Sequence, residues 1–365
     1  MFLQIILTIF VIFSIYFIYR LFLKITPKLY YNPSSPISKI ITSIKFPNYH
    51  PVPYLFNGFL HSIWSFQLRG LTRTKPTREL IKFSTGGSVM IDIFYPSKIS
   101  SNTPILFISH SCAGGTREPC TNYVADFFMK KNYIAIVCSS RGCNGSEMTS
   151  EKGYTGLDAE DLHDIIVQIS EKYPENKKKF IIGFSIGSCI SIEYVTKYSD
   201  ITACVCVSHP INMFRCVDKM ESKIQMILFM KPLMNSIKHL TKKNKFMPEK
   251  DKQEVYKMKS IRQFHQKCVL PILGLKNLTD YYHCFDLDKK FDKIKVPTLI
   301  INSEDDPFLD YSYMPFDALK KTQYVAYMTL KEGGHCGFCE NMDGKSSYIE
   351  GASYLFYEKC SSLQA

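Results

Sequence analysis

A serine hydroxyl becomes a useful nucleophile only when a base takes its proton and a carboxylate steadies the cation that results. A chain that does this chemistry must therefore bring together a serine, a histidine and an acid. The serine is offered by Gly183-Phe184-Ser185-Ile186-Gly187, which follows the apolar run Phe180-Ile181-Ile182 and precedes Ile186, Ile190 and Tyr194, spaced four apart. Strand, sharp turn and helix in that order lift Ser185 above the end of a sheet, with glycines where side chains would obstruct the turn. The five-residue pattern arises readily by accident in a chain of this length; its flanks give it weight. For the base, His335 is the one of nine histidines that follows both the serine and a strand able to carry the acid. It sits in Glu332-Gly333-Gly334-His335-Cys336-Gly337-Phe338, directly after the last apolar strand, which matches the order serine, acid, histidine. For the acid, the buried-type strand Thr298 to Ile301 runs into Glu304-Asp305-Asp306-Pro307. Residue chemistry does not separate Asp305 from Asp306, and one of the two is expected to cap the turn before the proline. The oxyanion of an acyl-transfer intermediate needs two N–H donors. Ile186, the residue after the serine, supplies one, and the small-residue loop His110-Ser111-Cys112-Ala113-Gly114-Gly115 the other. Cys112 is the expected donor there, through its amide and not its thiol, and His110, which precedes the serine, is expected to position the loop.

These residues need a rigid frame. Glu79 to Phe83 and Val89 to Tyr95 alternate across a Gly86-Gly87 turn and read as a hairpin. Apolar strands then alternate with helices: Ile105 to Ile108, a helix around Cys120 to Lys131, Ile134 to Cys138, a helix around Leu157 to Lys172, and the strand leading to Ser185. Further strands are expected at Val205 to Val207, Thr298 to Ile301 and Tyr324 to Leu330, with a closing helix near Tyr348 to Tyr357. Such alternation specifies an α/β fold with a mostly parallel sheet covered by helices on both faces. Between Val207 and Thr298 lies a Lys- and Met-rich helical stretch, expected to be a cap inserted at about 212–292, with Met220, Ile224, Ile227 and Leu228 as its apolar stripe.

The chain has 365 residues, 45% hydrophobic and 14% aromatic, which excludes a disordered protein. Its formal charge of +12 suggests a polyanion partner until the charges are placed. Residues 1–78 hold nine basic side chains and no acidic one, so the rest carries 12 − 9 = +3. No nucleic-acid partner is expected; a basic stretch beside an apolar helix suits an anionic membrane surface. The apolar run from Phe2 to Tyr19, extended past Arg20 by Leu21, Phe22 and Leu23, is just long enough to span a bilayer core at about 1.5 Å per residue. It lacks the basic start and small-residue cleavage site of a signal peptide. Residues 1–23 are thus expected to form a single-pass anchor, 24–76 an extended collar and 77–365 the main domain. Arg20, Lys24 and Lys28 follow the span and put that domain on the cytoplasmic side, on an endomembrane or another membrane. Thirteen scattered cysteines imply no disulfide framework, and Cys336-Gly337-Phe338-Cys339 stands too near the C-terminus for a thioredoxin-type site.

Taken together, His110 to Gly115, Ser140-Arg141-Gly142-Cys143-Asn144-Gly145-Ser146, Gly183 to Gly187, Asp305-Asp306-Pro307-Phe308 and Gly333-Gly334-His335 resemble the membrane-anchored α/β-hydrolase-domain family, which includes acylglycerol lipases, phospholipases and medium-chain ester hydrolases or synthases. The likeness runs from about Asn57-Gly58 to the C-terminus. It implies an α/β-hydrolase fold with Ser185 as nucleophile, Asp306 as acid and His335 as base, and so selects between the two aspartates. It also implies a lipid ester as substrate, such as a monoacylglycerol or a phospholipid, hydrolysed through an acyl-enzyme on Ser185. No metal and no organic cofactor are required by this chemistry. Two departures stand out: Ser188 where the family often has glycine, and Glu340 where some members carry the aspartate of a His-x4-Asp acyltransferase motif. Acyl transfer to alcohols, and a catalytically silent receptor or scaffold on the same fold, are the alternatives.

Overall fold

The computed structural model describes residues 2–364. The runs Ile105–Ser109 (β4), Ile134–Cys138 (β5), Lys179–Phe184 (β6), Ala203–Val207 (β7), Thr298–Ser303 (β8) and Val325–Leu330 (β9) pair in parallel in the order β9-β8-β7-β6-β4-β5. All are mostly apolar and, but for Lys179, buried, as strands covered on both faces must be. The antiparallel hairpin Thr77–Lys82 (β2) and Ser88–Phe94 (β3) closes one edge.

The period of two divides the core. Leu106, Ile108, Phe180, Ile182, Val205 and Ile301 face one layer, which holds Pro119–Lys130 (α4) and the C-terminal helix Tyr348–Gln364. Ile105, Phe107, Ile181, Cys204, Cys206 and Ile300 face the other, which holds Ala159–Lys172 (α5) and Ile186–Lys197 (α6). Tyr357 crosses its layer to donate to the Ile181 carbonyl at 2.7 Å, satisfying a buried hydroxyl.

The segment 24–76 is not the extended collar expected from its Pro- and Asn-rich composition. Lys28–Tyr30 (β1) joins the sheet as its ninth strand, antiparallel to β9, with Lys28 opposite Thr329. Pro36–Ile41 (α2) buries Ile37, Ile40 and Ile41 in the core, and Gly58–Ile63 (α3), capped by Asn57, runs on through a π turn to Leu68. Before it stands the helix Phe2–Leu21 (α1), of whose stretch Gln4–Leu21 only 6% is buried. α1 is long and apolar enough to cross a membrane, and so little burial sets it apart from the core helices of the domain.

Between β7 and β8 every element is helical. The apolar stripe expected there is displaced. The helix Met213–Met220 stops at Glu221, and Ser222 is extended (φ −70°, ψ 157°), which resets the helical phase. A π turn over Met226–Met230 then adds a residue before Pro232, which has no N–H to return to the Leu228 carbonyl. That carbonyl accepts instead from Gln67 Nε2 at 3.2 Å. Ile224 and Ile227 are consequently exposed (60% and 71%), Met220 and Leu228 half-buried, and Phe229, Met230, Met234 and Ile237 take the inward face.

Candidate active site

β6 ends at Phe184 and α6 begins at Ile186, leaving Ser185 alone to make the turn at φ 53°, ψ −120°. Few residues with a Cβ adopt such angles, and the turn is held by the Ser185 N–H bonding the Val207 carbonyl at 2.9 Å. Gly183 and Gly187 are required by close approach: a Cβ on Gly183 would lie 2.4 Å from the Gly187 carbonyl oxygen, and one on Gly187 2.3 Å from that of Ser109. Ser188 Oγ donates to the Ser185 carbonyl and lies 2.8 Å from His209 Nδ1, so the hydroxyl that replaces glycine ties the elbow to the end of β7.

Ser185 Oγ is 2.8 Å from His335 Nε2, and His335 Nδ1 is 2.7 Å from Asp306 Oδ2. Asp306 is buried, and its other oxygen accepts the Phe308 N–H at 2.8 Å, which fixes the carboxylate at the end of β8. Phe308 stands edge-on to the His335 ring at 4.7 Å between centroids and Phe66 is stacked on it at 6.0 Å, so the ring has little freedom to leave this line. Asp305 points elsewhere. Its Oδ1 accepts the Gly334 N–H at 2.9 Å, and burial pushes its carboxyl up to about 6. Adjacent aspartates thus hold the backbone and the ring of one loop.

The His335 loop is held on every side by hydroxyls that sequence reasoning does not single out. Ser62 Oγ in α3 accepts the His335 N–H at 2.8 Å, Ser208 Oγ accepts the Cys336 N–H at 2.9 Å, Ser65 Oγ donates to the Cys336 carbonyl at 2.8 Å, and Ser303 Oγ donates to the Gly334 carbonyl at 2.9 Å. Only Asn57-Gly58, where the family likeness begins, hinted that α3 matters. Cys336 and Cys339 are buried within the loop with thiols raised by burial, and neither forms a disulfide.

On the opposite side of Ser185 lies the loop His110 to Gly115. Neither the Cys112 nor the Ile186 N–H has an acceptor among the described residues, and both residues line a cavity with Ser185. The Cys112 thiol is pushed up to about 12, first by burial and then by Glu118, and so stays protonated. Glu118, a further residue not anticipated, organises the loop: its carboxylate accepts the Ser111 N–H at 3.1 Å, the Ser111 hydroxyl and the Thr121 hydroxyl at 3.0 Å. His110 bridges this loop to the next. Its Nδ1 lies 2.7 Å from the Ser111 carbonyl oxygen and its Nε2 accepts the Ser140 N–H at 3.1 Å, with burial lowering the ring's affinity for a second proton. Past Ser140, the buried Arg141 pairs with both oxygens of Asp161 at 2.6 and 2.8 Å, and Asn144 Oδ1 accepts the Thr116 N–H at 3.1 Å. Residues 140–146 are therefore scaffold for the loop His110 to Gly115.

Two cavities open on Ser185. One, about 370 Å³, runs under the helical insertion between Met213, Met220, Ile237, Phe264, Val269 and Tyr281. The other, about 1360 Å³, also reaches His335 and is edged by Phe66, Leu71, Lys75, Arg117 and Lys243. Among the described residues no group of three or more His, Cys, Asp or Glu side chains is arranged to hold a metal ion.

The chain is similar to known proteins. Protein abhd-3.2 of Caenorhabditis elegans is 27% identical over 355 residues, 94% of this chain and 94% of that protein. Phospholipase ABHD3 of Mus musculus is 24% identical over 310 residues, 80% of this chain and 75% of that one. The crystal structure of a membrane phospholipase A, a bacterial virulence factor, superimposes with a TM-score of 0.51 at 15% identity, over 79% of this chain and 87% of that chain, a likeness of fold. A family model described as serine aminopeptidase, S33 (Hydrolase_4) matches residues 119–338, from the start of α4 through the His335 loop, and with more than half of the chain inside that match, the protein belongs to this serine-hydrolase family of the α/β-hydrolase fold.

Proposed function

We propose that the protein hydrolyses carboxylic esters of lipids through an acyl-enzyme on Ser185. The observation that carries this reading is the unbroken line Ser185 Oγ, His335 Nε2, His335 Nδ1, Asp306 Oδ2 at the junction of two cavities. His335 Nε2 takes the Ser185 proton as Oγ attacks the ester carbonyl, and the buried Asp306 orients and stabilises the imidazolium. The N–H groups of Cys112 and Ile186 receive the oxyanion. The tetrahedral intermediate collapses, the C–O bond to the alcohol breaks, and His335 returns the proton to the departing alkoxide. Water, deprotonated by His335, then attacks the acyl carbon and releases the acid with Ser185 restored.

The cavities suit the two ends of such a substrate. The apolar one takes an acyl chain against Met, Ile and Phe side chains, and the wider one, with Lys75, Arg117 and Lys243 exposed at its edge, takes the polar alcohol or phosphate-bearing portion. The relative named a phospholipase supports a lipid ester as the substrate class. With α1 across a bilayer and the basic residues after it retained on the cytoplasmic side, the site faces substrates that partition into that membrane.

The test is labelling of the full chain in detergent micelles with a fluorophosphonate, comparing wild type with Ser185→Ala, followed by product analysis on monoacylglycerol and phospholipid micelles. Labelling that disappears in the variant, with release of fatty acid by wild type, is the expected result. A folded wild-type chain that takes no label overturns the reading in favour of a silent scaffold, and ethyl ester as the main product when ethanol is present overturns hydrolysis in favour of acyl transfer.

A further inference from the structure

Arg20 is the single charged residue of the helix α1, yet it is not a surface charge. It is 3% exposed and turned into the domain, where Nη1 donates to both oxygens of Glu332 at 2.7 Å and Nη2 to the Leu55 carbonyl at 3.2 Å. Glu332 is the residue at which the chain leaves the sheet region for the His335 loop. Between them stand only Gly333 and Gly334, both in the left-handed region (φ 151° and 60°), a pair with no side chain of its own to hold the loop. From Gly334 onward the loop is tied to Ser303, Asp305, Ser62, Ser208 and Ser65; at its start the backbone is held by the Glu304 N–H on the Leu330 carbonyl and the Phe338 N–H on the Gly333 carbonyl, both at 2.8 Å, and the side-chain tie is the pair of Glu332 with Arg20.

We propose that Arg20 is a positioning residue for the reaction: through Glu332 the end of the apolar helix α1 sets where the His335 loop begins, so that the membrane segment is part of the reactive centre and more than a tether. The inference rests on the reading of His335 as the base. Its physical content is the geometric demand of proton transfer. A shift of about 1 Å in a positioning group far from the chemistry can cost on the order of 100-fold in rate. A buried ion pair stripped of one partner leaves a charge that the surroundings must move to accommodate. His61 in α3 packs beside this pair with both ring nitrogens unpartnered, and it is held neutral, down to about 3, first by burial and then by the Arg20 charge. Neither ring nitrogen bonds Arg20, and Glu332 carries the tie.

The experiment uses the full chain in lipid nanodiscs, with kcat and KM measured on a short-chain p-nitrophenyl ester and fluorophosphonate labelling of Ser185 alongside. Arg20→Gln is expected to lower kcat about tenfold or more with KM changed less than about twofold, and Arg20→Lys, which keeps the charge but loses the fork, to recover part of the loss. The exchange Arg20→Glu with Glu332→Arg is expected to be faster than either single variant. Should Arg20→Gln fail to fold, Glu332→Ala decides, since it leaves the bond from Arg20 to Leu55 in place and removes the acceptor that ties Arg20 to the loop. A folded Glu332→Ala or Arg20→Gln enzyme with wild-type kcat overturns the proposal, as does a loss that the charge exchange and the lysine leave unrelieved. Disappearance of the label in Ser185→Ala is the separate control on the parent reading: with that control in place, wild-type kcat in Glu332→Ala removes the role of Arg20 and nothing else.

Discussion

The parallel sheet and the helical insertion meet at Ser185 and are built by different rules. In β4 to β9 each residue's fate follows from its place in a strand, because a period of two leaves only two faces and both are buried. In the insertion the phase is interrupted twice, by the extended Ser222 and by the π turn before Pro232, and identical residue types end on opposite sides. Ile227 is 71% exposed while Ile237, ten residues on, is 5% exposed. A sheet fixes chemistry in place; a chain of short, interrupted helices fixes only a boundary, and its lining can change without disturbing the frame.

This contrast is broken first at the chemistry. Ser185→Ala and Asp306→Asn both alter sheet ends without touching the insertion. Ser185→Ala is expected to abolish fluorophosphonate labelling, and Asp306→Asn to lower kcat on the order of 10^4-fold, the loss that follows when the orienting carboxylate of a triad is neutralised, both with melting temperatures close to wild type. Asp306→Asn with near-normal kcat would remove the aspartate from the proposed reaction.

Stability separates the regions next. Ile182→Ala empties a fully buried position in β6, and denaturant titration should show a loss of about 2–5 kcal/mol. Ile227→Ala, at the exposed turn of the insertion, should stay within about 0.5 kcal/mol of wild type. A loss at Ile227 comparable to that at Ile182 would mean that the apolar stripe expected from the sequence packs after all.

The same contrast explains what was legible in the sequence. Continuous apolar runs such as Ile134 to Cys138 announce doubly covered strands, and the Ser185 turn, the carboxylate cluster after Ile301 and the glycine-flanked His335 each sit at such a run's end. What escaped depends on contacts far apart in the chain. β1 is three residues long, too short for any period, and exists because it pairs with β9 some three hundred residues away. Ser62, Ser65, Ser208 and Ser303 are ordinary serines until the His335 loop is folded among them, and Glu118 becomes a loop organiser only beside Ser111 and Thr121. The family likeness separated Asp305 from Asp306, and the two carboxylates do point to different atoms of one loop.

That pair gives a prediction with a definite sign. Burial first, and then its neighbours Glu332 and Asp306, raise the folded-state pKa of Asp305 from 3.8 to about 6. A raised carboxyl favours the folded state while it is protonated, so its contribution is complete below about pH 4 and is lost as pH rises through 6. Two units correspond to up to about 3 kcal/mol. Asp305→Asn keeps an oxygen for the Gly334 N–H and cannot titrate. Denaturant midpoints measured from pH 4 to 8 should show the variant gaining on wild type as pH rises, with kcat within about threefold. A variant that loses ground above pH 6 would show that the ionised carboxylate is favourable there.

The smallest effect tests the insertion as a selector of substrates. Leu233 is half-buried and lines both cavities beside Ser185, so Leu233→Trp narrows the apolar one while leaving every sheet-borne group in place. A pocket that must exclude or admit a few methylenes discriminates by about 1–3 kcal/mol. The expected outcome is a fall of about tenfold in kcat/KM for a long-chain ester, with a butyrate ester hydrolysed at the wild-type rate. Equal losses on both would mean that the substitution has reached the Ser185 turn or the Cys112 loop, and the boundary would then be part of the frame. Unchanged kcat/KM on both would mean that the acyl chain does not pass Leu233 in either cavity, while leaving the chemistry at Ser185 as proposed.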